Sequence, residues 1–283
     1  MNSVECGISG EHSMESITPK VDFLGELAGL FDARGKVAYL PGGYGGIGEA
    51  ITWGLAMSGA KIVISGRSRE KAEGFAQELK KAGFDAFGLA ADVKSIAETR
   101  DAVDFVVERY GSVDILVNCV GIQWEQPILE VTEEAFDEVY RVNLKSAMFL
   151  GQAVAQHQIK MKKGGKQVHL LSVRAQLGLR GKGYSAYCTT KGGLVMLIRQ
   201  HAMELAPHHV NVNGIAPTFV FTEMIRQEME DKAFRDKLIE RIPLGRIADP
   251  KDVVGPVLFF STAASDFITG QILYVDGGIT ASQ

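Results

Sequence analysis

The sequence predicts a single α/β domain: a doubly wound, parallel, seven-stranded sheet with helices on both faces. Three observations point there. From Lys36 onward, short β-branched or apolar runs alternate with longer stretches of helical periodicity, the signature of repeated βαβ units. Several of those runs are apolar almost without interruption, as strands covered on both faces must be. A glycine cluster, Gly42-Gly43-Tyr44-Gly45-Gly46-Ile47-Gly48, separates the first run from the first helical stretch.

In chain order, residues 1–20 are polar and aperiodic and read as a tail. Val21, Leu24, Leu27, Leu30 and Phe31 recur near helical spacing, so 1–30 is expected to be a tail with a short amphipathic helix, ahead of a domain at 31–283. Strands are expected at 37–40, 61–64, 86–89, 114–117, 168–171, 210–213 and 272–275. A helix at 49–57 stops near Gly59, and Asp249-Pro250-Lys251-Asp252 is a helix start with a capping carboxylate and proline at the first turn.

Bulk properties narrow the function. Apolar residues make up 46% and charged residues 23% of 283 positions, which is ordinary for a globular protein. The net charge of -4 offers no basic field for a nucleic acid. Cys6, Cys119 and Cys188 are odd in number, widely spaced and free of a Cys-x-x-Cys pair, so neither a disulfide framework nor a zinc site is expected, and a reducing cytoplasm is the expected compartment. No basic stretch followed by an apolar run opens the chain, and no run is long enough to cross a bilayer.

The glycine cluster has the context of a dinucleotide seat, strand before and helix after, where a backbone without Cβ atoms approaches a pyrophosphate at a helix N-terminus. Two registers fit, Gly43/Gly45/Gly48 and Gly42/Gly46/Gly48. Where the second strand ends, a carboxylate would favour NAD. Here Gly66 stands at that place and Arg67 follows, between Ser65 and Ser68. An arginine there suits a 2′-phosphate, so NADP(H) is preferred, with NAD(H) possible. Later, Tyr187 and Lys191 are four residues apart, on one face of a helix if they share one. An ammonium beside a phenol is expected to lower the tyrosine pKa and prepare it for proton transfer.

These residues together resemble the short-chain dehydrogenase/reductase family, from Phe31 to Gly278. Gly42-x-x-x-Gly46-Ile47-Gly48 resembles its coenzyme loop, in which Tyr44 also stands. Asp92-Val93 resembles its adenine contact and Asn118-Cys119-Val120-Gly121 its Asn-Asn-Ala-Gly motif. Asn143, Ser172, Tyr187 and Lys191 resemble its catalytic tetrad, and Pro217 and Thr222 its nicotinamide-contacting segment. The resemblance implies a Rossmann fold, hydride transfer between a nicotinamide and a carbinol or ketone, and Tyr187 as general acid and base. It further implies that Ser172 orients the substrate oxygen, that Lys191 holds the nicotinamide ribose, and that Asn143 anchors a water near Lys191. It also implies a substrate lid over 218–246, a homotetramer joined through Val275-Asp276-Gly277-Gly278, and no metal requirement. The sequence departs from the pattern at Pro41, at Cys119-Val120, at Thr218, and in a Ser172-to-Tyr187 spacing longer by two than is common.

The expected substrate is a small molecule. Arg174, two residues past Ser172, is a candidate fork for a carboxylate or phosphate, and Gln123 and Trp124 are candidates for a polar contact and an apolar wall. The segment 121–124 and the overall pattern are similar to the family branch acting on polyols and aldonates, of the gluconate 5-dehydrogenase kind. Another carbonyl reductase, such as one for 3-oxoacyl thioesters, is the enzymatic alternative, and a nucleotide sensor without turnover is the alternative of another class. His208 and His209 read as exposed residues at a helix-to-strand junction, and His169 as a buried, satisfied imidazole.

Overall fold

Seven parallel strands form one sheet in the order β3-β2-β1-β4-β5-β6-β7. They are β1 (Val37–Pro41), β2 (Lys61–Gly66), β3 (Ala86–Ala90), β4 (Ile115–Asn118), β5 (Gly165–Leu170), β6 (Val210–Pro217) and β7 (Ile272–Val275). The structure is a computed structural model and describes residues 25 and 27–281. The chain separates into two units, Met1–Leu30 and Phe31–Gln283. Of the first, residues 25, 27 and 28 are helical, whereas the rest of the expected amphipathic helix and the tail lie mostly outside the described residues.

Alternate residues of each strand serve opposite faces, so the interior divides in two. Ala38, Leu40, Ile62 and Ile64 pack against Ile51 and Leu55 of α1 (Ile47–Met57), Phe75 and Leu79 of α2 (Arg69–Lys81), and a later helix described below. Val37, Tyr39 and Val63 meet Val103 and Val106 of α3 (Ile96–Tyr110). All of these side chains are buried, each worth about 1.5–3 kcal/mol for the larger aliphatics. Ser68 and Ser95 cap α2 and α3 by accepting from backbone N–H groups three residues on.

After β4 the chain forms α4 (Glu133–Tyr140), a π-helical segment (Arg141–Lys145) and α5 (Ser146–Met161) without leaving helical backbone. Then come α6 (Ser185–Leu205), α7 (Arg226–Glu230), α8 (Lys232–Glu240) and α9 (Pro250–Ser261). Asp249 caps α9 in a complete capping box with Asp252, Pro250 lying in the first turn, and Val253 and Val257 of α9 complete the first core face. The strand order reverses between β1 and β4, which pair with each other while β1 also pairs with β2. The loops after β1 and β4 therefore diverge above the carboxyl ends of the strands, and this crevice is where an open α/β sheet offers a site.

Candidate active site

The glycine loop rises from β1 into the crevice. Gly42 and Gly46 take φ of 77° and 53°, the left-handed region that favours glycine. At Gly48 a Cβ would lie 2.6 Å from the Gly42 carbonyl oxygen, whereas at Gly45 it would meet nothing within 4 Å. Gly43 is also too crowded for a Cβ, which would lie 2.8 Å from that of Leu40, so the Gly42/Gly46/Gly48 register is favoured by the left-handed φ of Gly42 and Gly46 and by the open space at Gly45. No side chain caps α1 at Gly46, so although the Gly48 N–H donates to the Gly45 carbonyl at 2.9 Å, the helix N-terminus faces the crevice without a side-chain acceptor of its own. The loop is braced from within by Thr52, whose buried hydroxyl lies 2.9 Å from the Gly43 carbonyl and 2.8 Å from that of Gly48. This cradle fits a dinucleotide pyrophosphate.

At the end of β2 the phenol of Tyr44 lies across Gly66, where an added Cβ would come within 2.3 Å of its Oη. Gly66 therefore has a packing reason to lack a side chain, one that the expected exchange of a carboxylate for a phosphate ligand did not include. Arg67 beside it is exposed. Asp92 closes its own turn by accepting from the Lys94 N–H at 3.0 Å, with Val93 half-buried between them.

Across the crevice, Ser172, Tyr187 and Lys191 line one cavity of about 260 Å3 together with Gly46, Ile47, Gly48, Gly121, Gln123, Arg174, Pro217 and Thr222. β5 ends at Leu170, and Ser172 caps the short turn that follows by accepting from the Arg174 N–H at 3.2 Å. Tyr187 and Lys191 share a face of α6 as their spacing requires. Asn143 lies behind the wall, on the π segment, 1% exposed. Its Oδ1 accepts from Ile122 N–H at 2.8 Å and its Nδ2 donates to Ile122 O at 2.9 Å and to Thr190 Oγ1 at 3.2 Å. Asn118 is buried below, accepting from Val120 N–H at 3.1 Å and pairing with His169 Nδ1 at 3.4 Å.

The electrostatics depart from expectation. Burial pushes the Tyr187 phenol up to about 12, although a hydrogen bond with Ser172 works against the rise. Burial also pushes the Lys191 amine down to about 8. Burial dominates at the phenol even though the Lys191 Nζ, which donates to the Leu170 carbonyl at 2.9 Å, stands over the ring 5.5 Å from its centroid. His169 is pushed down to about 3 by burial, then by His201 and Lys191, and only its Nδ1 is satisfied; Nε2 is buried without a partner.

The comparisons with known proteins accord with this geometry. The family model adh_short_C2, described as enoyl-(acyl carrier protein) reductase, matches residues 43–280. The chain belongs to the short-chain dehydrogenase/reductase family. It is 36% identical over 250 residues to the 5-keto-D-gluconate 5-reductase of Escherichia coli K12, covering 88% of this chain and 97% of that one. To the gluconate 5-dehydrogenase of Gluconobacter oxydans it is 36% identical over 258 residues, 89% and 98% of the two chains. The crystal structure of a gluconate 5-dehydrogenase from Burkholderia cenocepacia, in complex with NADP and tartrate, superposes with a TM-score of 0.86 at 37% identity over 89% of this chain and 98% of that one.

Several features of this short-chain dehydrogenase/reductase were not readable from motifs. Arg174 lines the cavity but is 5% exposed, and its Nη1 already donates to the carbonyls of Leu177 at 3.2 Å and Gly178 at 2.7 Å. Trp124 does not line the cavity and is 49% exposed, so the structure does not make it an apolar wall. Tyr184 and Phe219 line the cavity instead, Tyr184 packing edge-on against Tyr187 at 6.1 Å. In the loop before Tyr187, Gly183 packs so tightly on Gln126 that a Cβ would lie 2.2 Å from its backbone. Among the described residues no group of three potential metal ligands converges, and no helix is long and apolar enough to cross a membrane.

Proposed function

We propose that this enzyme interconverts a sugar acid and its keto form with NADP(H), through Tyr187 as general acid and base. The observation that carries the reading is the convergence of Ser172, Tyr187 and Lys191 on one cavity whose other wall is the glycine loop. The sugar-acid oxidoreductases among the relatives, and the NADP in a related crystal structure, support the choice of substrate class and cofactor.

Gly42, Gly46, Ile47 and Gly48 hold the pyrophosphate, Tyr44, Asp92 and Val93 the adenosine end, and Arg67 the 2′-phosphate; NAD(H), lacking that phosphate, is the weaker ligand. Asn118 shapes the β4 end on which Gly121 rests, and Gly121, Pro217 and Thr222 receive the nicotinamide. Bound NADP(H) supplies or accepts the hydride. Tyr187 gives its hydroxyl proton to the carbonyl oxygen in reduction, leaving a phenolate, and in oxidation that phenolate takes the proton of the alcohol and becomes the hydroxyl again. A phenol held up near 12 is fully protonated at neutral pH and ready to donate. Ser172 donates to the same oxygen as charge develops. Lys191 holds the ribose hydroxyls, and Asn143 keeps the 121–123 wall in place beside it. Arg174 and Gln123 orient the polar end of the substrate.

The segment 218–246, with α7 and α8, serves as the lid; its apolar side, Met229, Leu238 and Ile242, packs with Ile279. Self-association to a tetramer is proposed through the Val275-Asp276-Gly277-Gly278 segment, with the exposed Met148 of α5 and Met196 and Met203 of α6 as further apolar surface for a neighbouring subunit. A reducing cytoplasm suits the free Cys119 and Cys188.

The test is NADPH oxidation with 5-keto-D-gluconate, with a 3-oxoacyl thioester as competitor. Turnover of the keto acid, lost in Tyr187→Phe while NADPH affinity persists, supports the reading. Turnover of the thioester alone replaces the substrate class, and an unaffected Tyr187→Phe overturns the catalytic assignment.

A further inference from the structure

Beside the catalytic cavity lies a second one, of about 760 Å3, walled by the loop 178–183 and by α8. Phe219 lines both. Arg174 ties them together, since it lines the first cavity while its guanidinium donates to the carbonyl of Gly178, which lines the second. The loop is held at both ends, by Arg174 at Leu177 and Gly178 and by the Gly183 carbonyl accepting from Gln126 N–H at 2.9 Å. Its middle is open, with no atom within 4 Å of a Cβ placed at Gly178 or Gly181.

The lining is strongly one-signed. Arg180 and Lys182 from the loop, and Lys237 and Arg241 from α8 and its C-terminus, line the cavity, and among the described residues no carboxylate does. Lys182 is offset by Glu125 at 3.0 Å. The side chains of Arg180, Lys237 and Arg241 have neither ion pair nor hydrogen bond among the described residues. The surrounding surface is handled differently: Lys232 on the same helix is paired with Asp236, Arg226 with Glu223 and Arg246 with Asp252. Lys237 and Arg241 are also four residues apart, a like-charge spacing that works against the helix. The helix dipole accounts for cations at the end of α8. It does not account for Arg180 and Lys182, which reach the same concavity from another element, nor for Arg241 lying close enough to Arg174 to lower its pKa after burial has done so.

We propose that this second cavity is a phosphate subsite of the substrate, which makes the substrate a sugar acid carrying a phosphate ester at the end remote from its carboxylate. The proposal rests on the sugar-acid reading above. A phosphate monoester carries nearly two negative charges near neutral pH and three acceptor oxygens, which suits three unpaired cations better than a hydroxymethyl or single carboxylate end does. The concave wall concentrates their field toward the cavity mouth and draws the dianion in.

The experiment is calorimetric titration of D-gluconate and of D-gluconate 6-phosphate into the full chain saturated with NADP+, so that the cofactor's own phosphate seat is filled. The wild type is compared with Lys237→Ala/Arg241→Ala and with Arg180→Ala, and turnover of both compounds is followed alongside. The phosphate ester is expected to bind at least about tenfold more tightly than gluconate. Removal of the two α8 cations is expected to weaken the ester by about tenfold or more and gluconate less than twofold. Equal affinity for the two compounds, no binding of the ester, or an equal loss for both in the double variant overturns the proposal. Ester binding that depends on Lys237 and Arg241 without turnover of either compound keeps the subsite and overturns the sugar-acid reading. Turnover of gluconate with no gain from the phosphate does the reverse.

Discussion

Replacing Asn143 by alanine should damage stability and turnover together, because this side chain is the bracket between the π segment, the loop after β4 and α6. Alanine removes three hydrogen bonds, two with Ile122 and one with Thr190, at a position 1% exposed. Each bond is worth about 1 kcal/mol, and a buried backbone group left unmet costs about 1–3 kcal/mol, so the total is roughly 2–4 kcal/mol. For a domain of this size that corresponds to a fall in Tm of roughly 5–15 °C. Ile122 adjoins Gly121, where an added Cβ would lie 3.4 Å from Lys191 Nζ, so a loosened loop reaches Lys191 directly. Scanning calorimetry and urea titration with unchanged m-value measure the first effect, and single-turnover kinetics with NADPH the second, expected at tenfold or more, about 1.4 kcal/mol of barrier. Thr190→Val removes the bond at 3.2 Å together with the Thr190 hydroxyl's own bond to the Tyr187 carbonyl at 2.8 Å, and because the first is shared with Asn143 the double variant should fall short of the sum by about 0.5–1 kcal/mol. A loss of stability below about 1 kcal/mol in Asn143→Ala, or strict additivity with Thr190→Val, refutes the bracket.

Gly48→Ala places a methyl 2.6 Å from a backbone carbonyl oxygen that cannot swing aside, so NADPH and NADH affinity should both fall by more than about tenfold in calorimetry. Gly66→Ala should displace the Tyr44 ring at a cost of about 1 kcal/mol in urea unfolding, and the cost should shrink in a Tyr44→Ser background; equal costs in both would show that the ring is not what fills the place. Arg67→Ala should narrow the preference for NADPH over NADH by about tenfold or more, measured as a ratio of dissociation constants.

What the sequence made legible was local. Apolar runs marked all seven strands to within a few residues, and Asp249-Pro250 marked the start of α9, because period and capping chemistry act over neighbours. The glycine cluster was legible as a seat, but its register needed φ angles and close approaches that composition does not encode. Contacts between distant segments were not legible at all. Thr190 meets Asn143 across 47 positions, and Tyr44 covers Gly66 from another loop. The π segment that carries Asn143 has no composition of its own, since one wider turn leaves the apolar period nearly unchanged. Trp124 failed as a wall for a related reason: an aromatic in a loop is consistent with either side until the loop's course is known.

The tyrosine pKa was the expectation most dependent on three dimensions, and its reversal has a measurable consequence in the pH dependence of stability. The Lys191 amine is lowered from its ordinary 10.5 to about 8 by burial. Below pH 8 the lysine is charged in folded and unfolded chains alike, and the fold bears the full cost of burying that charge. Between pH 8 and 10.5 the unfolded chain keeps a proton that the folded chain has released, so stability rises with pH and the cost, on the order of 3 kcal/mol, is gone above the window. Tyr187 acts in the opposite sense: raised from 10.0 to about 12, it is protonated in the fold after the unfolded chain has ionised, so its contribution is present below pH 10 and lost as pH rises through 12. Other buried groups titrate in the same range, Cys119 among them, and difference curves remove them. The stability of wild type minus that of Lys191→Met should therefore climb from pH 8 to 10.5, and that of wild type minus Tyr187→Phe should decline from pH 10 to 12, both by urea unfolding. A flat lysine difference across its window would mean that the ammonium is not buried against its charge. The pairing inferred from the four-residue spacing would then have been right about the phenol, and the geometry over the ring wrong.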